Sequence, residues 1–363
     1  MTYKPIEARQ FFILTFGLTI GTSILVTPAG LAHTAREDAW IGALVSVILN
    51  LLMVLLYIAL ARLYPGKTIF EIHEAVLGRW LGKAVTLLYL FYFLILVGTL
   101  LGNLGFFLTS EMMPETPIEA IQILFLATAV MSAYKGILIL ARVGELLFPW
   151  VVFFFLVLGL TLFPQIQWNH IKPLLEGGWM PVAKGGMDAS MFQELIVLLT
   201  FFPLVENRTK AERAYFGGVL AGGLMTSIIV LLSVLVLGIE QTENSTFPAF
   251  ALAKSINVGN FLQRVEGILI TIWILTFFIK ISLLFLSILK GTQTVAGLKK
   301  KHHLIFPLTA LFLIIAWNTY INSVYVGAMI QKVWWKYSML YLVFMPLVLY
   351  VTGWFRTRFK QAS

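Results

Sequence analysis

Ten runs of apolar residues alternate with short polar segments along the whole chain, at 10–32, 39–61, 84–110, 118–134, 142–163, 187–206, 213–239, 265–289, 304–322 and 334–355. A hydrocarbon core about 30 Å thick takes roughly 20 residues of α-helix, so each run is long enough to cross it. Numbered in this order, they are helices 1 to 10. Lys135, Gly136 and Arg142 separate helix 4 only weakly from helix 5, and merging the two would leave nine. The first run is longer than the apolar stretch of a secretory signal and follows Lys4, Pro5, Glu7 and Arg9, so it is read as a retained span. Two connecting stretches have the one-sided pattern of interfacial helices: 67–81, with Ile69, Ile72, Val76, Trp80 and Leu81 on one stripe, and 246–256, with Phe247, Phe250, Ala251 and Leu252 beside Lys254. Prolines and glycines make 164–186 an outer loop, ordered only by its contacts.

Charge orients the helices. With the N-terminus inside, eighteen of the 26 Lys and Arg fall in cytoplasmic segments and seven in outer ones, leaving Lys280 within a span. This bias places both termini in the cytoplasm and calls for an even number of helices. A charged share of 12% against 59% hydrophobic residues excludes a water-soluble globule and leaves no room for a sizeable soluble domain. The net charge of +9 sits in the clusters that set topology, so no nucleic-acid partner is expected. The absence of cysteine removes disulfides, thiolate nucleophiles and Cys-ligated metal centres.

Enzyme signatures fail. Gly66-Lys67-Thr68 lacks the earlier glycine of a phosphate loop, Ala61 standing in its place, and His73-Glu74 is followed by Leu77 where a zincin carries its second histidine. His33, His170, His302 and His303 fall at loops or span ends, and no catalytic constellation, cofactor site or metal site is expected.

The informative residues are polar ones inside the spans. In helix 1, Gly21, Thr22 and Ser23 lie near the middle with Pro28 following, a place where a spanning helix can unwind around a ligand; close packing through the Gly17/Gly21 pair is the alternative. Glu194, in Phe192-Gln193-Glu194-Leu195 of helix 6, is either buried and paired, protonated or wetted, or else interfacial if the span starts at Leu195. Lys280 lies too deep in helix 8 to snorkel easily, and Trp273 and Thr276 share its face, so it serves either a functional cavity or a structural ion pair. On helix 3, Tyr92, Thr99 and Asn103 share a face turned either to a cavity or to interhelical hydrogen bonds. Gly217, Gly218, Gly222 and Gly223 at the start of helix 7 read as a close-packing surface.

Together these features resemble the amino acid-polyamine-organocation transporter superfamily, and within it the B subunits of spore germinant receptors. The cues run in order: Gly21 to Pro28, Thr116-Pro117-Ile118, Phe148-Pro149, Ile171-Lys172-Pro173-Leu174-Leu175 with Gly177 and Gly178, Phe192-Gln193-Glu194 with Pro203, and Arg264-Val265-Glu266 leading to Trp273-Ile274-Leu275. Where members of the family often carry Phe-Gly-Glu, this chain has Gln193 in the middle position.

The resemblance implies an all-α integral membrane fold of about ten transmembrane helices in a five-plus-five inverted repeat, 1–163 and 187–355, with helices 1 and 6 broken. It implies a ligand between these breaks, contacted by Gly21, Thr22, Ser23, Ile24, Thr99, Asn103, Phe192, Gln193, Glu194 and Trp273. Lys280 would replace a transporter's coupling cation. It further implies a sensor of a small-molecule germinant, an amino acid by preference, with A and C receptor subunits as partners in the spore inner membrane. A proton-coupled amino acid transporter is the competing reading, with Glu194 or Lys280 titrating.

Overall fold

Helix 1 is broken where its glycine lies. In a computed structural model of the chain, describing residues 5–258, 262–263, 266–298, 300, 302–319 and 329–362, it forms two halves, Ala8–Ile20 (1a) and Ser23–Ala35 (1b). Lys4, Arg264, Val265, Lys299, Lys301 and the end of the ninth run beyond Thr319 lie outside the described residues. Helix 2 spans Ala39–Leu63, helix 3 Arg79–Glu111, helix 4 Ile118–Lys135 and helix 5 Ile137–Leu162. Helix 6 consists of Trp179–Ser190 (6a) and, after a break over 191–194, the 3-10 turns Leu195–Thr200 and Phe202–Leu204 (6b). Helix 7 is Arg208–Leu237, helix 8 Glu266–Ala296 and helix 9 His302–Thr319. Helix 10 runs from Ile330 to Ala362 through two π-helical turns, Ile330–Trp334 and Leu340–Phe344. The described strands are the two-residue pair Asn257–Val258 and Leu262–Gln263.

Among the described residues, seven stretches are long and apolar enough to cross a membrane. One of them, Ser23–Leu63, joins helix 1b to helix 2 through a 3-10 turn at Arg36–Asp38. The others are helices 3, 4, 5, 7, 8 and 10; helix 1a and helix 9 are shorter apolar helices. Ten segments therefore follow the ten predicted runs. A single residue, Gly136, separates helices 4 and 5: at φ 92° it ends one helix and starts the next, a conformation open to glycine at little cost.

Three predicted boundaries move. Helix 6 starts at Trp179, not at 187, so the last eight residues of the expected outer loop are helical. Two of its glycines serve packing instead of turning: a Cβ on Gly186 would sit 2.6 Å from Val45 Cγ1 of helix 2, and one on Gly185 3.1 Å from Leu31 Cδ2 of helix 1b. The 67–81 stretch does not form one interfacial helix. A short helix, Ile69–Leu77, started by a Thr68/Glu71 capping box, buries Ile69, Phe70, Ile72, His73 and Val76 beneath helices 3 and 10. Trp80 and Leu81 belong to helix 3 and are exposed. Likewise Pro248–Lys254 is not a helix resting on lipid, since it buries Phe250 and Leu252 against helices 1b, 7 and 8.

His73 donates from Nδ1 to Thr86 Oγ1 at 2.9 Å, because the Thr86 hydroxyl proton is already given to the Gly82 carbonyl. Burial pushes this imidazole down from the ordinary 6.5 to about 3, so it is neutral at physiological pH.

The glycines of helix 7 are a packing surface, as read from sequence. A Cβ on Gly218 would lie 2.7 Å from Thr15 Cβ, and one on Gly222 2.9 Å from Thr19 Cβ, both on helix 1a, while Gly223 faces Val47 of helix 2. The start of helix 1a is also tied to the end of helix 6b by backbone, Ile6 N donating to Leu204 O at 2.9 Å and Glu206 N to Ile6 O at 3.1 Å. Gly222→Ala should destabilise the folded chain by about 1–3 kcal/mol through overpacking. Gly30→Ala, where the added carbon meets nothing within 4 Å, should leave unfolding in detergent nearly unchanged; equal effects of the two would contradict this packing.

Candidate functional site

The break in helix 1 has two physical causes in one residue. Gly21 adopts φ 27° and ψ −121°, a conformation that side-chain-bearing residues rarely enter. A Cβ there would also collide with Lys280 Cδ of helix 8. One turn earlier, a Cβ on Gly17 would come within 2.8 Å of Ile279 Cδ1. Gly17 therefore brings helix 1a close to helix 8, as the close-packing reading of this string expects, and Gly21 lets the helix stop there.

Helix 6 breaks differently. Met191 and Phe192 close the last turn of 6a by donating to Asp188 O and Ala189 O, after which Glu194 takes a left-handed backbone, φ 43° and ψ 41°. For a residue with a side chain this costs on the order of 1 kcal/mol or more. Since Glu194 and not Gln193 is the left-handed residue, the missing glycine of the Phe-Gly-Glu pattern is not needed for this turn.

Both breaks converge on Lys280. Its Nζ lies 2.7 Å from Glu194 Oε2, donates to the Phe192 carbonyl at 2.8 Å and reaches Thr22 Oγ1 at 3.3 Å. An ammonium has three protons, and here three oxygens surround it, from both broken helices. Lys280 and Glu194 are 0% and 1% exposed, so the pair is cut off from water. The cation also sits just beyond the C-terminal ends of 1a and 6a, where the helix dipoles present partial negative charge. A charge that could not snorkel is stabilised instead by a carboxylate, a hydroxyl, a carbonyl and two helix ends.

Hydroxyl contacts brace this centre. Tyr215 OH of helix 7 donates to Leu195 O at 2.6 Å, and Thr200 Oγ1 meets Ser287 Oγ of helix 8 at 2.7 Å, fixing 6b on two sides. Tyr57 and Tyr92 lie close enough to Glu194 to interact electrostatically with it. Their hydroxyls hold helix 10: Tyr57 OH donates to Leu342 O at 2.6 Å and Tyr92 OH to Ser338 Oγ at 3.1 Å, and Tyr89 OH donates to Tyr341 O at 2.7 Å. Leu342 and Tyr341 belong to the second π-helical turn, whose irregular ladder leaves carbonyls turned outward for such donors.

Of the residues singled out in the sequence, Gly21, Thr22, Phe192, Glu194 and Lys280 come together directly. Ser23, Ile24 and Gln193 flank them, all buried, with Ser23 Oγ and Gln193 Oε1 lacking a hydrogen-bond partner among the described residues. Trp273 is fully buried against Phe107 of helix 3, ring centroids 4.8 Å apart, and neither its Nε1 nor Asn103 Oδ1 has a hydrogen-bond partner among the described residues. Thr99 is half-buried, and among the described residues no hydrogen bond joins Thr99, Asn103 or Trp273 to the Lys280 cluster. Tyr57 and Tyr215 carry no distinguishing signal in the sequence: each lies within a few residues of the end of its apolar run, where an aromatic residue is commonplace.

This architecture is that of a transporter-like membrane protein. The fold is similar to that of Mhp1, a nucleobase-cation-symport-1 family transporter solved closed with bromovinylhydantoin bound: TM-score 0.66, 11% identity, covering 89% of this chain and 74% of that one. It is also similar to MhsT solved with L-phenylalanine: TM-score 0.59, 14% identity, covering 95% and 97%. Residues 5–324 match the family model for spore germination proteins, and the chain belongs to that family. Its relatives include spore germination protein KB of Bacillus subtilis (strain 168), 28% identical over 87% of this chain and 85% of that protein. Spore germination protein B2 of the same organism is 24% identical over 98% and 96%.

If the Lys280 and Glu194 charges stabilise one another, their substitutions will not add. Lys280→Met should cost about 3–5 kcal/mol by stranding a buried carboxylate, and Glu194→Gln a comparable amount. The double variant should lose clearly less than the sum in detergent unfolding, and additive losses would contradict the pairing.

Proposed function

We propose that this chain is the germinant-sensing membrane subunit of a spore germination receptor, binding a small solute where helices 1 and 6 break. The carrying observation is the Lys280 ammonium, held by Thr22, Phe192 and Glu194 between the two breaks. A tethered cation at this point neutralises the ends of 1a and 6a without a dissolved ion. The opposite pole is the N-terminus of 1b, where the amides that open the helix carry partial positive charge and suit a carboxylate. Carbonyls of the unwound segments suit an ammonium, which makes an amino acid the preferred ligand class. The unpartnered Ser23 Oγ and Gln193 Oε1 supply polar contacts beside it.

In this reading the two halves, expected at 1–163 and 187–355, are inverted repeats, and with helix 6 starting at Trp179 the second runs from 179, so that each opens with a broken helix. Ligand binding favours one of two packings of the broken helices, and the change passes to A and C subunits in the spore inner membrane, with both termini cytoplasmic. The fold likeness to ion-coupled transporters favours one second reading, proton-coupled amino acid transport. Accumulation of labelled amino acid in vesicles by this chain alone would select transport over sensing.

The purified chain, screened against free amino acids and sugars, should unfold at a higher temperature with at least one amino acid. Thr22→Val should abolish that shift, and spores carrying Lys280→Ala should lose response while retaining the protein in their membranes. No shift with any compound, or an unaltered dose response in the Lys280→Ala spores, would refute the site.

A further inference from the structure

Between the end of helix 2 and the start of helix 7 lies a groove of about 380 Å³, walled by Leu55, Ile58 and Phe216 and edged by Arg62, Glu212 and Arg213. Its charge is unbalanced. Glu212 accepts from Arg62 Nε at 2.9 Å and Nη2 at 2.6 Å and also lies 3.4 Å from Arg208 Nε, so one carboxylate faces two guanidiniums. Arg213 is exposed and forms no ion pair among the described residues. Arg62 Nη1 is left over from the bidentate contact, which uses only Nε and Nη2. The mouth therefore offers two guanidinium edges to a further anion.

Apolar surface continues from the groove along the same faces. Ile48, Leu52 and Leu55 follow one face of helix 2 at helical spacing, and Leu220, Leu224 and Ile228 one face of helix 7; all six are exposed in the isolated chain. A cationic mouth at the end of a membrane-spanning apolar strip has the two-part chemistry of a phospholipid, a phosphate with acyl chains running away from it.

We propose that this groove is a binding site for an anionic phospholipid, with the phosphate between Arg62 and Arg213 and an acyl chain along the strip between helices 2 and 7. The lipid bridges two helices that also pack on the halves of the Lys280 site, since helix 7 holds 1a and helix 2 holds 6a. Occupancy does not depend on the identity of any germinant.

Native mass spectrometry of the purified full-length chain in detergent tests the site, with phosphatidylglycerol, phosphatidylcholine and glycerol phosphate as probes. Phosphatidylglycerol should be retained, phosphatidylcholine should not, and Arg213→Gln should weaken retention about fivefold, whereas Lys210→Gln, outside the groove, should not change it. Equal retention of the two lipids, or an unchanged Arg213→Gln variant, would overturn the proposal. Glycerol phosphate binding as tightly as the lipid would reassign the groove to a soluble anion. The wild-type lipid comparison decides the matter even where a variant does not fold, and a failed ligand screen at Lys280 leaves it unaffected.

Discussion

A lysine ammonium buried without water is the constraint around which this membrane domain is arranged. Taking such a charge out of solvent costs several kcal/mol even after relaxation, and nothing in a hydrocarbon layer repays it. The chain meets the cost by stopping two helices at the cation, which frees the Phe192 carbonyl and the Thr22 hydroxyl and brings Glu194 to 2.7 Å. The conformational oddities nearby follow from this. Gly21 has no side chain because Lys280 occupies the space, and Glu194 tolerates a left-handed backbone because that aims its carboxylate at Lys280.

The remaining packing holds the half-helices in position. A half-helix of about a dozen residues has little stability of its own, and each is laid against a long unbroken helix through small residues: 1a on helix 7 through Gly218 and Gly222, 6a on helix 2 through Gly186 and Gly42. Tyrosines then connect the centre to helix 10. Tyr57 and Tyr92 lie near Glu194 at one side and bond helix 10 at the other, so a change at the ion pair is one contact away from the wide turns of helix 10.

Much of this was legible in the sequence, for identifiable reasons. A charge in mid-span and a glycine beside small hydroxyls are costly in lipid unless used, so Lys280, Glu194 and Gly21 stood out. Their mutual contact was not legible, because sequence spacing carries no information about which of two distant spans meet. The start of helix 6 was misplaced because Gly185 and Gly186 look alike as turn formers or as packing surface, and only Val45 and Leu31 across the interface decide between them. The place of Trp80 in helix 3 has no sequence signal, because Gly78, at φ 85°, ends one helix and starts the next at an angle that periodicity does not encode. The π-helical turns of helix 10 left no signal in an apolar run.

Within the membrane-embedded chain, Lys280 and Glu194 form one ion pair. Solid-state NMR on the protein in lipid, with lysine side chains labelled in 15N and glutamate carboxyls in 13C, measures this directly. A strong 15N–13C dipolar coupling, as expected for a carboxyl carbon one bond beyond an oxygen 2.7 Å from the ammonium nitrogen, lost in Lys280→Met and Glu194→Gln alike, is the predicted result. A Lys280 resonance in exchange with water and uncoupled to any carboxylate would contradict the account at its base.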